Sequence, residues 1–323
     1  MSTRAVTRET AGLTAELRPR VSIGLPVYNG APYLEQALDS LLSQTLGDFE
    51  LIISDNASDD GTAEIAARYA QRDGRIRYHR NDENLGAARN FNNTFALSRG
   101  QYFKWAACDD IHLPDYLLRC VEALDENPDV VLAYPRASEM SEDGRPLREV
   151  LDPLELNDPR PARRIHHMLW ASRKVHMVFG LMRREALANT GLLLAENGAD
   201  RLLLTELAIM GPWRQVDEML FVNRVTGSRR NTRTRRFHDP SLRGYAPFRR
   251  VWLRCRQAKV IWRSNIPAYQ KPLLVFDTFA CYFARDLVPL IRRRTARLFQ
   301  YYPGAVMRRT RRLLARFSAR REP

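Results

Sequence analysis

Short apolar runs and stretches of helical spacing alternate along the chain from Val21 to Tyr134. Residues 21–27, 49–54, 76–79, 101–107 and 130–134 are apolar runs of strand length. Between them, residues 33–43, 62–70, 87–97 and 113–126 carry apolar side chains at helical intervals. In the first of these, Leu34, Ala37, Leu38, Leu41 and Leu42 fall on one face. Gly61 stands just before the second and Gly100 closes the third. Strict alternation of this kind predicts an α/β fold with a mixed, mostly parallel sheet and helices on both faces. Ligands of such sheets bind outside the carboxyl ends of the strands. That rim collects Pro26, Val27, Tyr28 and Asn29, then Asp55 and Asn56, then Asp109 and Asp110.

After Pro135 the alternation loosens. Residues 163–172 and 199–210 read as helices, and 175–183 and 213–222 as strands. The apolar stretch 273–291 carries Asp277, Arg285 and Asp286, which argues against a bilayer span. Leu287, Ile291, Leu298 and Tyr302 follow helical spacing within an arginine-rich segment, the pattern of a basic amphipathic helix.

Charge divides the chain. Residues 1–150 hold 16 Lys/Arg against 24 Asp/Glu, and residues 151–228 hold 10 against 9. Residues 229–323 hold 25 against 4, a balance of +21. The expected organisation is a flexible tail over 1–17, a folded α/β domain over 18–228 and a basic helical region over 229–323. A basic block suits an anionic lipid surface, nucleic acid or a polyphosphorylated substrate. Two readings of 229–323 stand level: peripheral attachment to an anionic membrane face, or a helical extension docked on the domain with its arginines in water. The first twenty residues lack an apolar core, so no secretory leader is expected. Cys108, Cys120, Cys255 and Cys281 form no CxxC pair and read as reduced thiols of a cytoplasmic protein.

Asp109 and Asp110 are the strongest chemical signal. Two carboxylates at the end of a strand can hold Mg²⁺ or Mn²⁺, hard cations that take oxygen ligands and share them with substrate phosphates. The competing reading is that they cap the helix expected over 113–126. His166, His167 and His176 lie at no metal-binding spacing.

Four segments, 21–29, 55–62, 84–90 and 108–110, resemble glycosyltransferase family 2 in order and spacing. The likeness is clear over about 20–135, weaker over 175–228 and absent beyond. It implies a GT-A type, Rossmann-like sheet, a nucleotide-sugar donor, Mn²⁺ or Mg²⁺, and inversion at the anomeric carbon. By resemblance, Pro26, Tyr28 and Asn29 form a rim against the nucleobase, Asp55 accepts a hydrogen bond from the base, and Arg89 lies near base and diphosphate. Asp110 then ligates the metal, and Asp109 holds ribose hydroxyls or a metal-bound water. Asp200 occupies the position of the general base, with Glu196 as fallback. Arg224 fits a phosphate contact, and residues 179–185 fit an acceptor-side wall. Three positions depart from the family pattern: Ala107 and Ala199 stand where many members carry an acid, and Thr226 where a histidine is usual.

The expected acceptor is a glycan, lipid-linked or small-molecule hydroxyl. A nucleotidyltransferase is disfavoured, because no Lys or Arg lies between Val27 and Arg68 to grip a triphosphate. A dehydrogenase is disfavoured by the lack of GxGxxG after a strand. A non-catalytic nucleic-acid binder lacks a recognition motif, and no nucleic-acid partner is expected.

Overall fold

The computed structural model describes residues 18–150, 156–171, 175–195, 198–226, 249–284 and 288. The tail 1–17, Glu196, and the helical pattern over Leu287, Ile291, Leu298 and Tyr302 lie outside the described residues.

Strands β1 (Val21–Val27), β2 (Phe49–Asp55), β3 (Ile76–Arg80) and β4 (Tyr102–Trp105) run parallel in the order β3-β2-β1-β4. Helices α1 (Ala31–Leu42), α2 (Thr62–Arg72) and α3 (Ala87–Ala96) make the crossovers. This is the parallel half that the alternation predicted. Beyond β4 the sheet becomes mixed. It continues through β8 (Leu181–Arg183), β6 (Leu132–Ser141), β9 (Trp213–Val225) and β5 (Ile111–His112), with β7 (Pro146–Val150) paired to β6. The β4–β8, β6–β8, β6–β7 and β5–β9 pairs are antiparallel, and β6–β9 is parallel.

Several boundaries differ from expectation. The strand begun at 130–134 extends to Ser141, because β9 pairs along nearly its whole length. Residues 176–179 form a turn of 3₁₀ helix, so only Leu181–Arg183 of the expected strand 175–183 is in the sheet. The helix expected from 113 is α4 (Tyr116–Asp125), and Ile111 and His112 ahead of it join the sheet instead.

The faces of β1 differ in kind. Val21, Ile23, Leu25 and Val27 join the α1 leucines and the apolar face of α4 in one core. On the other face Gly24 lets α3 close in: a Cβ there would lie 2.3 Å from Thr94 Oγ1. A second core lies around Phe103, Trp105 and Tyr134. It takes in α5 (Pro161–Ala171), α7 (Ala199–Met210), and buried residues of α8 (Arg249–Arg263) and α9 (Lys271–Tyr282). The short α6 (Arg184–Ala188) follows β8. So α8 and α9, within the basic third, pack on the second core. No disulfide joins the four cysteines, all of them among the described residues.

Polar groups at the amino edge of the parallel half serve the fold. Glu50 accepts from Ser22 Oγ at 2.7 Å and from the Arg99 backbone N–H at 2.8 Å, and pairs with Arg77 and Arg99. The carboxyl edge holds the site.

Candidate active site

The loops leaving β1 and β2 are laced to one another. Asn56 N–H donates to Val27 O at 2.9 Å. Asn29 sits at φ 51°, a left-handed backbone that asparagine tolerates better than most residues. Its N–H donates to Ser58 Oγ at 2.9 Å, and its Oδ1 accepts from Asp59 N–H at 3.1 Å. Gly30 N–H donates to Thr62 Oγ1 at 2.9 Å. Gly61 holds the cap position of α2, and Asp60 just before it accepts from Thr62 N–H at 3.2 Å.

Asp55 is fully buried at the end of β2. Its Oδ1 accepts from Ser58 N–H at 3.0 Å, and its Oδ2 from Tyr78 OH at 3.1 Å and Arg80 Nη1 at 3.2 Å. A carboxylate has about four acceptor positions. Three are engaged within the protein. What faces solvent beside it is Arg80, with its side chain 45% exposed, and Tyr28, 37% exposed. Arg80 was not anticipated. The parallel register sets it directly opposite Asp55, which a reading of β3 by itself does not reveal.

Asparagines tie these loops to α3. Asn90 Nδ2 donates to Ser54 O at 2.9 Å and Val27 O at 3.3 Å, while Ser54 Oγ donates to Asn90 Oδ1 at 2.7 Å. Asn81 Nδ2 donates to both Asn56 Oδ1 and Asn90 Oδ1. Arg89, beside this network, is exposed.

Asp109 and Asp110 follow β4 on the same edge. Ala106 N–H donates to Gly24 O at 2.8 Å, and a Cβ on Gly30 would lie 3.0 Å from Cys108 Sγ. The loop that carries the pair is therefore packed against the loop after β1. Neither aspartate caps α4, which starts six residues beyond Asp110 with Asp115 at its cap position. Strand β9 holds the pair instead. Because Ile111 pairs with Val222 and His112 with Phe221, Asn223 and Arg224 fall beside Asp110. Asp110 Oδ1 accepts from Asn223 Nδ2 and from Arg224 N–H, both at 2.9 Å. Arg224 Nε donates to Asp109 O at 3.0 Å and its Nη1 to Glu142 O at 3.0 Å. Its guanidinium lies 5.0 Å over the Tyr33 ring, and Tyr33 OH donates to Glu142 Oε1 at 2.9 Å. Arg224 is thus buried against the carboxylate pair, a brace that the expectation of a phosphate contact did not include.

Among the described residues no group of three or more His, Cys, Asp or Glu could hold a metal ion. The donor set at this lip is two carboxylates, all hard oxygen. That fits Mg²⁺ or Mn²⁺ completing its shell with phosphate and water, and does not fit a closed all-protein site.

Asp200 occupies the first turn of α7, behind Gly198 at φ 85°. It is half-buried, and its Oδ1 accepts from Arg201 N–H at 2.8 Å. The segment before it is tied to α3: Asn92 Nδ2 donates to Leu193 O at 2.9 Å, and Leu193 N–H donates to Asn92 Oδ1 at 3.1 Å. In the stretch 179–185, Leu181 and Met182 are fully buried in the sheet and Glu185 is exposed.

The comparisons with known proteins agree with this geometry. Residues 22–191 match the family model described as glycosyl transferase family 2. An uncharacterized glycosyltransferase, EpsJ of Bacillus subtilis, is 39% identical over 110 residues, 34% of this chain and 31% of that protein. An uncharacterized glycosyltransferase of Methanocaldococcus jannaschii, MJ1057, is 32% identical over 134 residues, 41% of this chain and 46% of that protein. The matched segments therefore span less than half of those relatives. Among solved structures, Staphylococcus aureus TarS 1–349 in complex with UDP-GlcNAc has a TM-score of 0.62 at 16% identity, covering 82% of this chain and 73% of that one. The mannosyltransferase PcManGT of Pyrobaculum calidifontis, in complex with GDP-Man and Mn²⁺, has a TM-score of 0.50 at 21% identity, covering 90% and 83%. At these identities the structural likeness speaks for the fold, and the family match covers more than half of the chain: it belongs to glycosyl transferase family 2.

Proposed function

We propose that this chain transfers a sugar from a nucleoside-diphosphate sugar to an acceptor hydroxyl, with inversion at the anomeric carbon. The observation that carries this reading is the pair Asp109 and Asp110, held by Asn223 and Arg224 on the sheet edge that also ends in Asp55. Tyr28, with Pro26 and Asn29 around it, offers a flat face to the nucleobase. Asp55 fixes Arg80 and the loop 56–58 against the base, and its remaining acceptor position suits a base N–H. Arg89, exposed at the start of α3, is placed to meet the diphosphate.

Asp110 and Asp109 would hold Mn²⁺ or Mg²⁺, which when bound neutralises charge on the departing nucleoside diphosphate. The two donors on Asp110 Oδ1, Asn223 Nδ2 and Arg224 N–H, fix its direction. Asp200 takes the proton of the acceptor hydroxyl as that oxygen attacks the anomeric carbon and the bond to the diphosphate breaks. A positioned base of this kind is worth about 10²–10⁴ in rate. The acceptor is a glycan, lipid-linked or small-molecule hydroxyl, and the chain works in the cytoplasm, at an anionic membrane face.

The test is donor hydrolysis over a panel of UDP-, GDP- and dTDP-sugars with Mn²⁺ or Mg²⁺, with and without chelator. One donor should be turned over and chelator should stop it. Asp110→Asn should lower the rate by about 10²-fold or more with the melting temperature kept. Turnover indifferent to both chelator and Asp110→Asn would refute the reading.

A further inference from the structure

The strongest unassigned feature of the surface lies on α9. Leu274, Thr278 and Cys281 face the second core. A quarter-turn away, Leu273, Phe276, Ala280 and Phe283 follow one another at helical spacing along a second stripe. Leu273 and Phe276 are each 69% exposed and Phe283 is 58% exposed. Trp262 at the end of α8 and Tyr269 just before α9 are exposed as well. A helix apolar on a second, outward stripe implies something that covers it.

Beside the stripe runs a groove of about 770 Å³ between α5 and α9. Leu156 and Leu274 form its apolar floor, with Leu273 and Phe276 on one wall and Arg163 and His167 on the other. Its two acids are already matched. Asp158 pairs with Arg160 at 2.9 Å and Arg163 at 3.6 Å. Asp277 lies 2.6 Å from His166 Nδ1 and accepts from Trp170 Nε1 at 2.6 Å. Lys259 and Arg263 add exposed cations on α8. The chain that follows, residues 285–323, carries 12 arginines against two acids.

We propose that this face, the outward stripe of α9 with the groove it shares with α5, docks on an anionic lipid surface. Apolar residues with aromatic neighbours and a basic surround are the elements of interfacial binding: the rings and Leu273 enter the headgroup boundary while the cations meet lipid phosphate. A second copy of the chain is a poorer occupant, since each copy carries the same net charge of +14. Nucleic acid is poorer too, because the leucine and phenylalanine stripe has no use for a phosphate backbone. This inference gives a location to the membrane orientation of the proposed function, yet its test reads binding and not transfer. Failure here leaves the donor site standing.

The full chain is sedimented with vesicles of phosphatidylcholine and with vesicles in which about a quarter of the lipid is phosphatidylglycerol. It should pellet with the anionic vesicles, far less with the neutral ones, and less as salt rises. The double variant Leu273→Gln/Phe276→Gln should keep the wild-type melting temperature and lose about tenfold or more in partition, as removal of two large apolar contacts requires. Lys259→Gln/Arg263→Gln should weaken anionic binding and leave neutral binding unchanged. Equal pelleting with both vesicle types would overturn the proposal. So would a folded Leu273→Gln/Phe276→Gln variant that pellets like the wild type.

Discussion

Five residues ahead of Asp109, Lys104 is fully buried, its Nζ 2.7 Å from His112 Nε2 and 4.4 Å over the Tyr116 ring. Burial pushes its pKa down to about 7. In the unfolded chain a lysine titrates near 10.4. Between those values the unfolded chain holds a proton that the fold does not, so stability rises with pH across about 7 to 10 and the full penalty applies below. His112 is shifted the same way, by burial and by Lys104, and adds a penalty on the acid side. Lys104→Met should flatten the rise: urea midpoints at about pH 7 and about pH 9.5 should differ less in the variant than in the wild type. An equal difference in both proteins would place the ammonium in contact with water. At the rim, Asp55→Asn should weaken donor binding about tenfold, read as KM or by calorimetry, since it loosens Arg80 and alters the last acceptor position. Asp55 was legible in the sequence because it ends a strand. Arg80 and Tyr78 were not, because they reach Asp55 only through the register of β2 and β3.

Whole elements show the same division. The parallel half was legible because each of its crossovers repeats one strand and one periodic helix. Strand β5 has two residues, too few to show a period, yet its pairing with β9 sets Asn223 and Arg224 on the aspartates. Contacts made by so short a strand, across more than a hundred residues of chain, leave no local trace. Helix α7 offers a sharper test. Gly198 precedes it at φ 85°, and a Cβ there would lie 2.7 Å from Leu253 Cδ2 of α8. Gly198→Val meets both a backbone region that β-branched residues avoid and a packed neighbour, and should cost about 1–3 kcal/mol. Because Asp200 lies two residues on, kcat should fall more than the donor KM rises. A loss confined to stability, with kcat intact, would count against Asp200 as the base.

At the scale of the molecule, the charge boundary near residue 229 marked off a basic region and left open whether it docks on the preceding domain; packing argues for shared stability. Ile261 of α8 is fully buried in the same core as Phe103 and Trp105 of β4. Gln257 Nε2 of α8 donates to Thr205 Oγ1 of α7 at 2.9 Å, both residues buried. Charge records how a surface meets water and says little of which apolar faces meet beneath it, which is why the sequence left a docked extension level with membrane attachment. A core that spans both regions predicts cooperative loss. Ile261→Ala should cost about 2–5 kcal/mol, the range for emptying a buried aliphatic site. The loss should show equally in helical circular dichroism and in the donor concentration needed for half-saturation during a urea titration. Coincident transitions by the two probes are the signature of one unit. If donor binding outlasted an early helical transition in the variant, α8 and α9 would be a separately stable appendage, and α7 would owe its position to the sheet alone.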